Sequence, residues 1–328
     1  MHIVLVGSLL LSLSEIQPLA QVEERDEHQD LYSAWLQHHP RSYDPSEQEL
    51  RSEYFVRSVR ELARLQKRSP RATYDIMADE TADWSDAERR ARGSGGVASF
   101  DDLPEHVAFS TNATALPADI DWVTRGAVNR PESQGRCGTC MDFSGTASVE
   151  SAWFLAGHKL ERLSVQQVVD CCGGGKGGPG YCMDWVRSTG GLALESDYPL
   201  ANHSDPTLKG CRSPCNTTAG AHRVATIASV ACLHGHAEDQ IRAMLDDGPV
   251  SVSISAHFLN GYKHGIINCT ADGIDHAVQL VGYGHENGFA YWKLRNSWGA
   301  DFGEGGYFRF VYGQTCLRGA CQAHAPSR

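Results

Sequence analysis

Apolar residues recur at three- and four-residue steps in the N-terminal part of the chain, between about residues 30 and 67. Such spacing places them on one face of a helix, which must dock against another surface. The apolar positions are Phe55, Val59, Leu62 and Leu65. The positions expected to face solvent include Arg51, Arg60 and Arg64. This pattern predicts amphipathic helices in a first module.

The amino-acid composition changes at Leu116, after which cysteines, glycines and short β-rich runs become frequent. The runs Pro249–Ile254 and Ala277–Tyr283 are predicted strands, and the apolar positions of Phe143–Leu155 predict a helix. That helix puts Cys140 at or near its N-terminus. The glycines of Gly173–Gly180 predict a loop, and they lack the ending and spacing of a phosphate-binding motif.

The first residues have their own hydrophobic pattern. Ile3–Leu13 is an apolar run resembling the core of a secretory signal peptide, and it is shorter than the roughly 20 residues of a membrane span. We expect cleavage between Ser14 and Ala20. A breaker at Arg92–Gly96 opens a polar linker that joins the two modules.

Composition narrows the function classes. The chain has 328 residues, of which 41% are hydrophobic, enough for a sizeable core in one or two domains. A net charge of −11 argues against nucleic-acid binding, which requires a surface rich in Lys and Arg. There are 11 cysteines, so at least one stays free if the others pair in an oxidising compartment. Glycosylation sequons, which agree with a secretory route, occur at Asn112, Asn202, Asn216 and Asn268.

The candidate chemistry centres on Cys137 and Cys140, which fit a redox pair, a zinc half-site completed by Cys211 and Cys215, or a disulfide cysteine beside a nucleophile. A helix N-terminus favours a thiolate, and a thiolate nucleophile needs a histidine partner. His276 opens an apolar strand-like run. Considered alone, this histidine is more simply a structural residue.

Three motifs together resolve these alternatives. The segments are Gln-Gly-Arg-Cys-Gly-Thr-Cys at 134–140, Asp-His-Ala at 275–277 and Asn-Ser-Trp-Gly at 296–299. In order and separation they resemble the papain family of cysteine proteases. The resemblance covers nearly all of the second module, including Leu116-Pro117, Asp121-Trp122, Leu163-Ser164, Asp170-Cys171, Tyr198-Pro199 and the segment 303–307.

The resemblance implies an α+β, papain-like fold with a helical lobe and a β-barrel-like lobe. It implies an endopeptidase in which Cys140 forms a thioester, His276 transfers protons and Asn296 orients the imidazole. Gln134 and the backbone N–H of Cys140 would form the oxyanion hole, and Trp298 would shield the His–Asn hydrogen bond.

The first module is similar to the inhibitory propeptide of cathepsin L-like enzymes. The matching helix positions are Glu47, Arg51, Phe55, Ser58, Leu62 and Gln66, with Trp35 and Tyr43 upstream. Ser58 and Gln66 replace two asparagines, and Asp75, Met77 and Asp79 match a second motif only in part. The implied division is a signal peptide over 1–20, an inhibitory propeptide over 21–92, a maturation linker over 93–115 and a catalytic domain over 116–328.

The nucleophile's neighbours depart from the family pattern. Met141 replaces a tryptophan, and Asp142 replaces a small apolar residue, adding a negative charge that opposes the thiolate. These changes keep open an alternative, a catalytically weak homologue that binds peptides or inhibitors. Gly175 also replaces a disulfide cysteine, so Cys172 is expected to take its place.

The resemblance implies further residues and partners. Expected disulfides join Cys137 to Cys172, Cys171 to Cys211 or Cys215, and Cys269 to Cys316. The implied substrate-binding residues are Gly177, Gly178, Pro179, Gly180, Ser253, Ile274, Asp275, Ala277 and Cys321. Expected partners are protein and peptide substrates, the chain's own propeptide and cystatin-like inhibitors. We expect a monomer without cofactor, metal, nucleic acid or membrane span, in the secretory pathway, outside the cell or in a lysosome or vacuole.

Overall fold

The computed structural model describes residues 27–92, 118–172, 178–203, 211–233, 235 and 238–326. We call residues 27–92 the N-terminal segment and residues 118–326 the C-terminal domain. The expected signal peptide, the linker, Asn112 and Gly177 lie outside the described residues. Within the described ranges, every helix is too short or too polar to cross a bilayer.

The N-terminal segment is helical, as its periodicity predicts. Helix α1 covers residues 27–38, α2 covers Pro45–Arg68 and α3 covers Asp86–Arg92. A short strand, β1 (Ala72–Tyr74), lies between α2 and α3. Helix α2 has a proline in its first turn and basic residues in its last, both of which favour helix ends.

The core of this segment is aromatic. Trp35 of α1 packs on Phe55 of α2 with ring centroids 5.6 Å apart, and its indole N–H donates to the carbonyl of Asp79 at 3.1 Å. The expectation that Arg51 faces solvent is wrong, because its guanidinium bonds the carboxylates of Glu47 and Glu88. Such paired, bidentate contacts hold α3 against α2.

The helices of the C-terminal domain surround one buried helix. Helix α4 (Cys140–Leu155) begins at Cys140, and its first thirteen residues are all buried. Three others are α5 (Val165–Cys171), α6 (Gly178–Thr189) and α7 (Glu238–Asp247). The predicted loop therefore ends earlier than expected, since Gly178, Pro179 and Gly180 form the first turn of α6, where a proline has no helical hydrogen bond to lose.

The remaining elements form a sheet. Its strands are β2 (Ile120–Asp121), β3 (Ser229–Leu233), β4 (Val250–Ile254), β5 (Tyr262–Ile267), β6 (His276–Glu286), β7 (Phe289–Arg295), β8 (Tyr307–Val311) and β9 (Arg318–His324). The order is β1-β5-β8-β7-β6-β4-β9-β3, with β2 also pairing β6. The β5–β8 pair is parallel and the other named pairs are antiparallel. Helical and β-rich lobes give the expected α+β class.

The N-terminal segment docks by extending this sheet. Strand β1 pairs antiparallel with β5, with Ala72 opposite Gly265. At Gly265 φ is +97°, and an added Cβ would lie 2.1 Å from the carbonyl oxygen of Arg71. The close backbone approach therefore requires glycine there. Within the N-terminal segment, Gln66 of α2 fixes β1 by donating to the carbonyl of Ala72 and accepting from the N–H of Tyr74.

Four disulfides stabilise the C-terminal domain. They join Cys137 to Cys211, Cys171 to Cys215, Cys232 to Cys321 and Cys269 to Cys316. The Cys137–Cys172 prediction is wrong, because Cys137 instead reaches across to Cys211. The Cys269–Cys316 pair is as expected, and Cys215 is the partner that Cys171 takes. The free thiols are Cys140, Cys172 and Cys182.

Candidate active site

Cys140 stands at the N-terminus of α4, where helix N–H groups have no intrahelical acceptor. Its side chain is 0% exposed and contacts Met141 and Ala277. Hydrogen bonding from the backbone of Ala277 favours the thiolate, as the helix dipole does. Burial outweighs these contributions in the docked form and raises the pKa of the thiol.

His276 is the first residue of β6, and its Nε2 lies 2.8 Å from Oδ1 of Asn296. The amide oxygen of Asn296 also accepts from the N–H of Ser297 at 2.9 Å, which fixes the amide orientation. An oxygen acceptor places the imidazole proton on Nε2. Nδ1 is buried and has no hydrogen-bond partner among the described residues. In the neutral imidazole, this nitrogen is the basic one.

Hydrogen bonds connect the helix of the nucleophile to the strand of the histidine. Gln279 of β6 donates to the carbonyl of Ala147 at 2.9 Å and to the hydroxyl of Ser151 at 3.0 Å, both on α4. All three residues are buried. These bonds hold the start of β6 in register with α4, so that Cys140 and His276 come from different lobes to one site.

Both reacting side chains are fully buried in the structure that includes the docked N-terminal segment. Burial raises the pKa of the Cys140 thiol to about 12. Burial, with a smaller contribution from the nearby Arg92 cation, lowers the pKa of the His276 imidazole to about 4, against the raising effect of the Asn296 hydrogen bond. Both shifts favour the neutral forms. In this arrangement the thiolate–imidazolium pair is suppressed.

Gln134 is fully buried. Its side-chain N–H groups donate to the carbonyl of Arg92 at 2.9 Å and to that of Cys137 at 2.6 Å. The hydroxyl of Ser297 donates to the Gln134 carbonyl at 2.5 Å, which fixes the amide. Ser297 lies inside a recognised motif, yet sequence reasoning assigned it no role.

Sequence reasoning also missed Arg92, which was expected only to begin a linker. This residue ends α3 and is 5% exposed. Its guanidinium stands 4.7 Å from the Trp298 ring centroid and pairs with Glu80. The ring centroids of Trp298 and His276 are 5.1 Å apart. A buried cation facing an aromatic residue beside His276 was not evident from local sequence.

Asp142 occupies the first turn of α4 and is 1% exposed. Burial raises its pKa to about 6, against the lowering effects of a Cys182 hydrogen bond and the Arg212 cation. The ionised carboxylate raises the pKa of Cys140. The charge beside the nucleophile, noted in the sequence, is therefore buried and held by a thiol from α6.

The structure shows the surroundings of several of the expected substrate-binding residues. Ala277 contacts Cys140 and lies opposite Ser253 across the β4–β6 pair. Asp275 immediately precedes His276, and its carboxylate accepts from the N–H of Ala256 at 2.8 Å. Cys321 lies on β9 opposite Ser251 of β4 and forms a buried disulfide with Cys232.

The zinc site considered from the sequence does not form, because most of its proposed ligands are not free thiols. Cys137, Cys211 and Cys215 are all in disulfides, so their sulfurs cannot act as thiolate ligands. Within the described ranges, no group of three or more His, Cys, Asp or Glu side chains is arranged to hold a metal ion. The arrangement around Cys140 instead has the parts of a nucleophilic site: a thiol, a base, an orienting amide and a side-chain N–H donor.

Comparisons with known proteins agree with this site. The family model described as papain family cysteine protease matches residues 116–325. Cysteine proteinase B of Leishmania mexicana is 32% identical over 302 residues, covering 88% of this chain. The match spans 66% of that relative, slightly less than two thirds of its length.

Solved precursors share the architecture, including the N-terminal segment. Recombinant stem bromelain precursor has a TM-score of 0.76 and 27% identity, with coverage of 92% of this chain and 100% of that one. Procathepsin L 3 of the Tenebrio molitor larval midgut has a TM-score of 0.72 and 28% identity, with coverage of 90% and 99%. Motifs, fold and site geometry all lead to one conclusion: this chain belongs to the papain family of cysteine proteases.

Proposed function

We propose that the chain is the precursor of a cysteine endopeptidase whose N-terminal segment inhibits the site until it is removed. The observation that carries this proposal is the orientation of His276, with Nε2 bonded to Asn296 and Nδ1 left as the basic nitrogen. A base held in this way beside a helix N-terminal thiol suits nucleophilic attack on a carbonyl carbon.

The proposed reaction follows from these atoms. When water reaches the open site, the desolvation that keeps Cys140 and His276 neutral is relieved, and the proton passes from sulfur to imidazole. The thiolate forms an S–C bond to the peptide carbonyl, and the imidazolium protonates the leaving amine. His276 then takes a proton from water, which hydrolyses the thioester.

Gln134 is proposed to stabilise the oxyanion of each tetrahedral intermediate, together with the N–H of Cys140. Its amide already binds a backbone carbonyl, that of Arg92, in the docked form. The N-terminal segment thus occupies a donor that a substrate would need. Trp298, 5.1 Å from the imidazole, is proposed to shield the His276–Asn296 bond from water.

We assign residues 1–20 to a signal peptide, 21–92 to the inhibitory propeptide, 93–115 to a linker cut near Ala115, and 116–328 to the catalytic domain. Four disulfides support an oxidising compartment, either outside the cell or in a lysosome or vacuole. Asn202 and Asn216 are exposed and are proposed glycan sites, in addition to Asn112. Cystatin-like inhibitors and a monomeric enzyme remain part of this proposal.

The proposed substrate class is an extended peptide whose backbone approaches Gly177 and Gly178. We propose a small apolar pocket for the side chain two positions before the cut, which selects aliphatic or aromatic residues. Its proposed lining is Pro179, Gly180, Ser253, Ile274, Ala277 and Cys321. A peptide library in which arginine is preferred at that position would contradict this assignment.

The decisive test is hydrolysis of a fluorogenic hydrophobic dipeptide by acid-matured protein between about pH 4 and 7. Turnover should disappear in Cys140→Ala and after an irreversible thiol-directed inhibitor. Cys172→Ala, which removes another buried thiol, is the matched control and should retain turnover. Folded, processed protein without turnover would instead support the peptide-binding homologue.

A further inference from the structure

Two cysteines remain without a role after the disulfides and the nucleophile are assigned. Cys172 ends α5 and Cys182 lies in α6, and they are 2% and 1% exposed. Both belong to one apolar cluster under α4, and their thiols are within hydrogen-bonding reach of each other. The only other free cysteine is Cys140, because all eleven cysteines are among the described residues.

A compartment that oxidises four pairs also contains an oxidant for these two. We propose that Cys172 and Cys182 form a fifth, reversible disulfide that joins the end of α5 to α6. The oxidant is a disulfide such as glutathione disulfide. One cysteine thiolate attacks it, forming a mixed disulfide and releasing one glutathione thiolate; the second cysteine then displaces the other. Two electrons pass to glutathione, which also takes up the two protons.

Exchange requires exposure of a thiolate, and the folded protein resists this. Hydrogen bonding to Cys172 and burial both raise the pKa of the Cys182 thiol. Few thiolates therefore form while α5 and α6 stay packed. The bond is accordingly expected to form during folding, or later when α5 and α6 separate locally, and to persist once buried.

This pair is linked to the active site through Asp142. The Cys182 thiol donates to the Asp142 carboxylate at 3.3 Å, and Asp142 lies two residues after Cys140. Helices α4 and α6 are close, since a Cβ added at Gly145 would lie 3.2 Å from that of Cys182. The titratable or charged groups that act on Asp142 or respond to it are Cys182 of α6, Arg212 of the loop after Cys211 and Cys140 of its own helix.

Oxidation removes the S–H donor, because a disulfide sulfur carries no hydrogen. The buried Asp142 carboxylate then has less stabilisation and should accept a proton more readily. Without that negative charge, the Cys140 thiolate forms at lower pH. If the proposed protease function holds, the acid limb of the pH–rate profile should move by about 0.5–1 pH unit to lower pH in the oxidised enzyme.

Peptide mapping tests the bond independently of activity. The full chain is equilibrated in glutathione buffers of graded ratio, denatured in acid, alkylated without reduction and digested. We expect a linked Cys172–Cys182 peptide, lighter by two hydrogens than its two thiol peptides, whose yield follows the glutathione ratio. Alkylation of both cysteines at every ratio would overturn the proposal, as would linkage of either to Cys140.

Matched variants test the link to Asp142. Cys182→Ser keeps a hydroxyl donor but cannot be oxidised, so its pH profile should equal that of reduced wild type in every glutathione buffer. Cys182→Ala lacks a donor and should follow the oxidised profile. A linked peptide with identical pH profiles in all forms would overturn the Asp142 coupling alone. Absence of turnover in every form would count against the proposed function, and mapping would still decide the disulfide.

Discussion

The side-chain amide of Gln134 donates to the backbone carbonyl of Arg92 at 2.9 Å, so the last described residue of the N-terminal segment occupies a donor beside the nucleophile. The Arg92 side chain forms an ion pair with Glu80, and its guanidinium lies over the Trp298 ring. One residue thus combines a backbone contact to Gln134 with a buried cation near His276.

Replacing Arg92 with alanine should weaken docking of the N-terminal segment. We expect acid maturation about tenfold faster, corresponding to about 1.4 kcal/mol. Gel-monitored conversion at fixed acidic pH measures the rate. The matched control is Arg90→Ala, since Arg90 lies in the same helix and is exposed. Equal rates for the two variants would contradict a special role for the Arg92 side chain.

Asn296→Ala should impair proton transfer by His276. The imidazole would lose its 2.8 Å partner and its fixed orientation. We expect kcat to fall by about 10²-fold with little change in KM, because the interaction serves the reacting geometry more than substrate binding. Steady-state kinetics on matured enzyme checks this. A change confined to KM would assign Asn296 to substrate binding.

Asp142→Asn should stabilise the precursor in a pH-dependent way. The folded-state pKa of Asp142, about 6, lies above its ordinary value of 3.8. Its protonation therefore favours the folded state at pH below 3.8, and that contribution is lost as pH rises through 6. The variant should be more stable than wild type by about 2–3 kcal/mol above pH 6, with a much smaller difference below pH 4. Denaturant unfolding at pH 4 and pH 7 with the disulfides intact, analysed by linear extrapolation, measures both values. A gain in stability that does not depend on pH would contradict the burial of a charged Asp142.

Asn268→Gln should loosen the N-terminal segment from the C-terminal domain. The Asn268 amide donates to the carbonyl of Arg68 at 2.8 Å and accepts from Arg71 at 2.9 Å. Misplacing both hydrogen bonds should speed acid-induced release by about fivefold, or about 1 kcal/mol. The control is Asn216→Gln, which alters another sequon asparagine that bonds Thr218 and Ala219 within the C-terminal domain. Similar release rates in wild type and both variants would exclude this docking role.

The Asn268 contacts also bear on glycosylation. In the docked form its amide nitrogen is engaged, whereas a glycan would be attached through that same nitrogen. Asn268 therefore fits a docking residue better than the glycan site its sequon suggests. The sequence contains the glycosylation motif, but only the tertiary structure shows which groups the Asn268 amide contacts.

The amino-acid sequence by itself determined the family and the α+β class, and it supplied the residues proposed for the site. Cys140, His276 and Asn296 are carried by local motifs, and the apolar periodicity of α2 and α4 follows from the neighbours of each residue along the chain. Such local patterns require no knowledge of distant contacts.

Tertiary structure alone decided the features that join distant segments. The partner of Cys137 is Cys211, 74 residues away, because the fold brings these two segments of the chain together at a suitable geometry. Arg51 was expected to face solvent, but α3 brings Glu88 against it. The contacts of Gln134 with Arg92 and of Asp142 with Cys182 arise in the same way. Hydrogen bonds, disulfides and desolvation depend on distance in space, which a one-dimensional pattern does not specify.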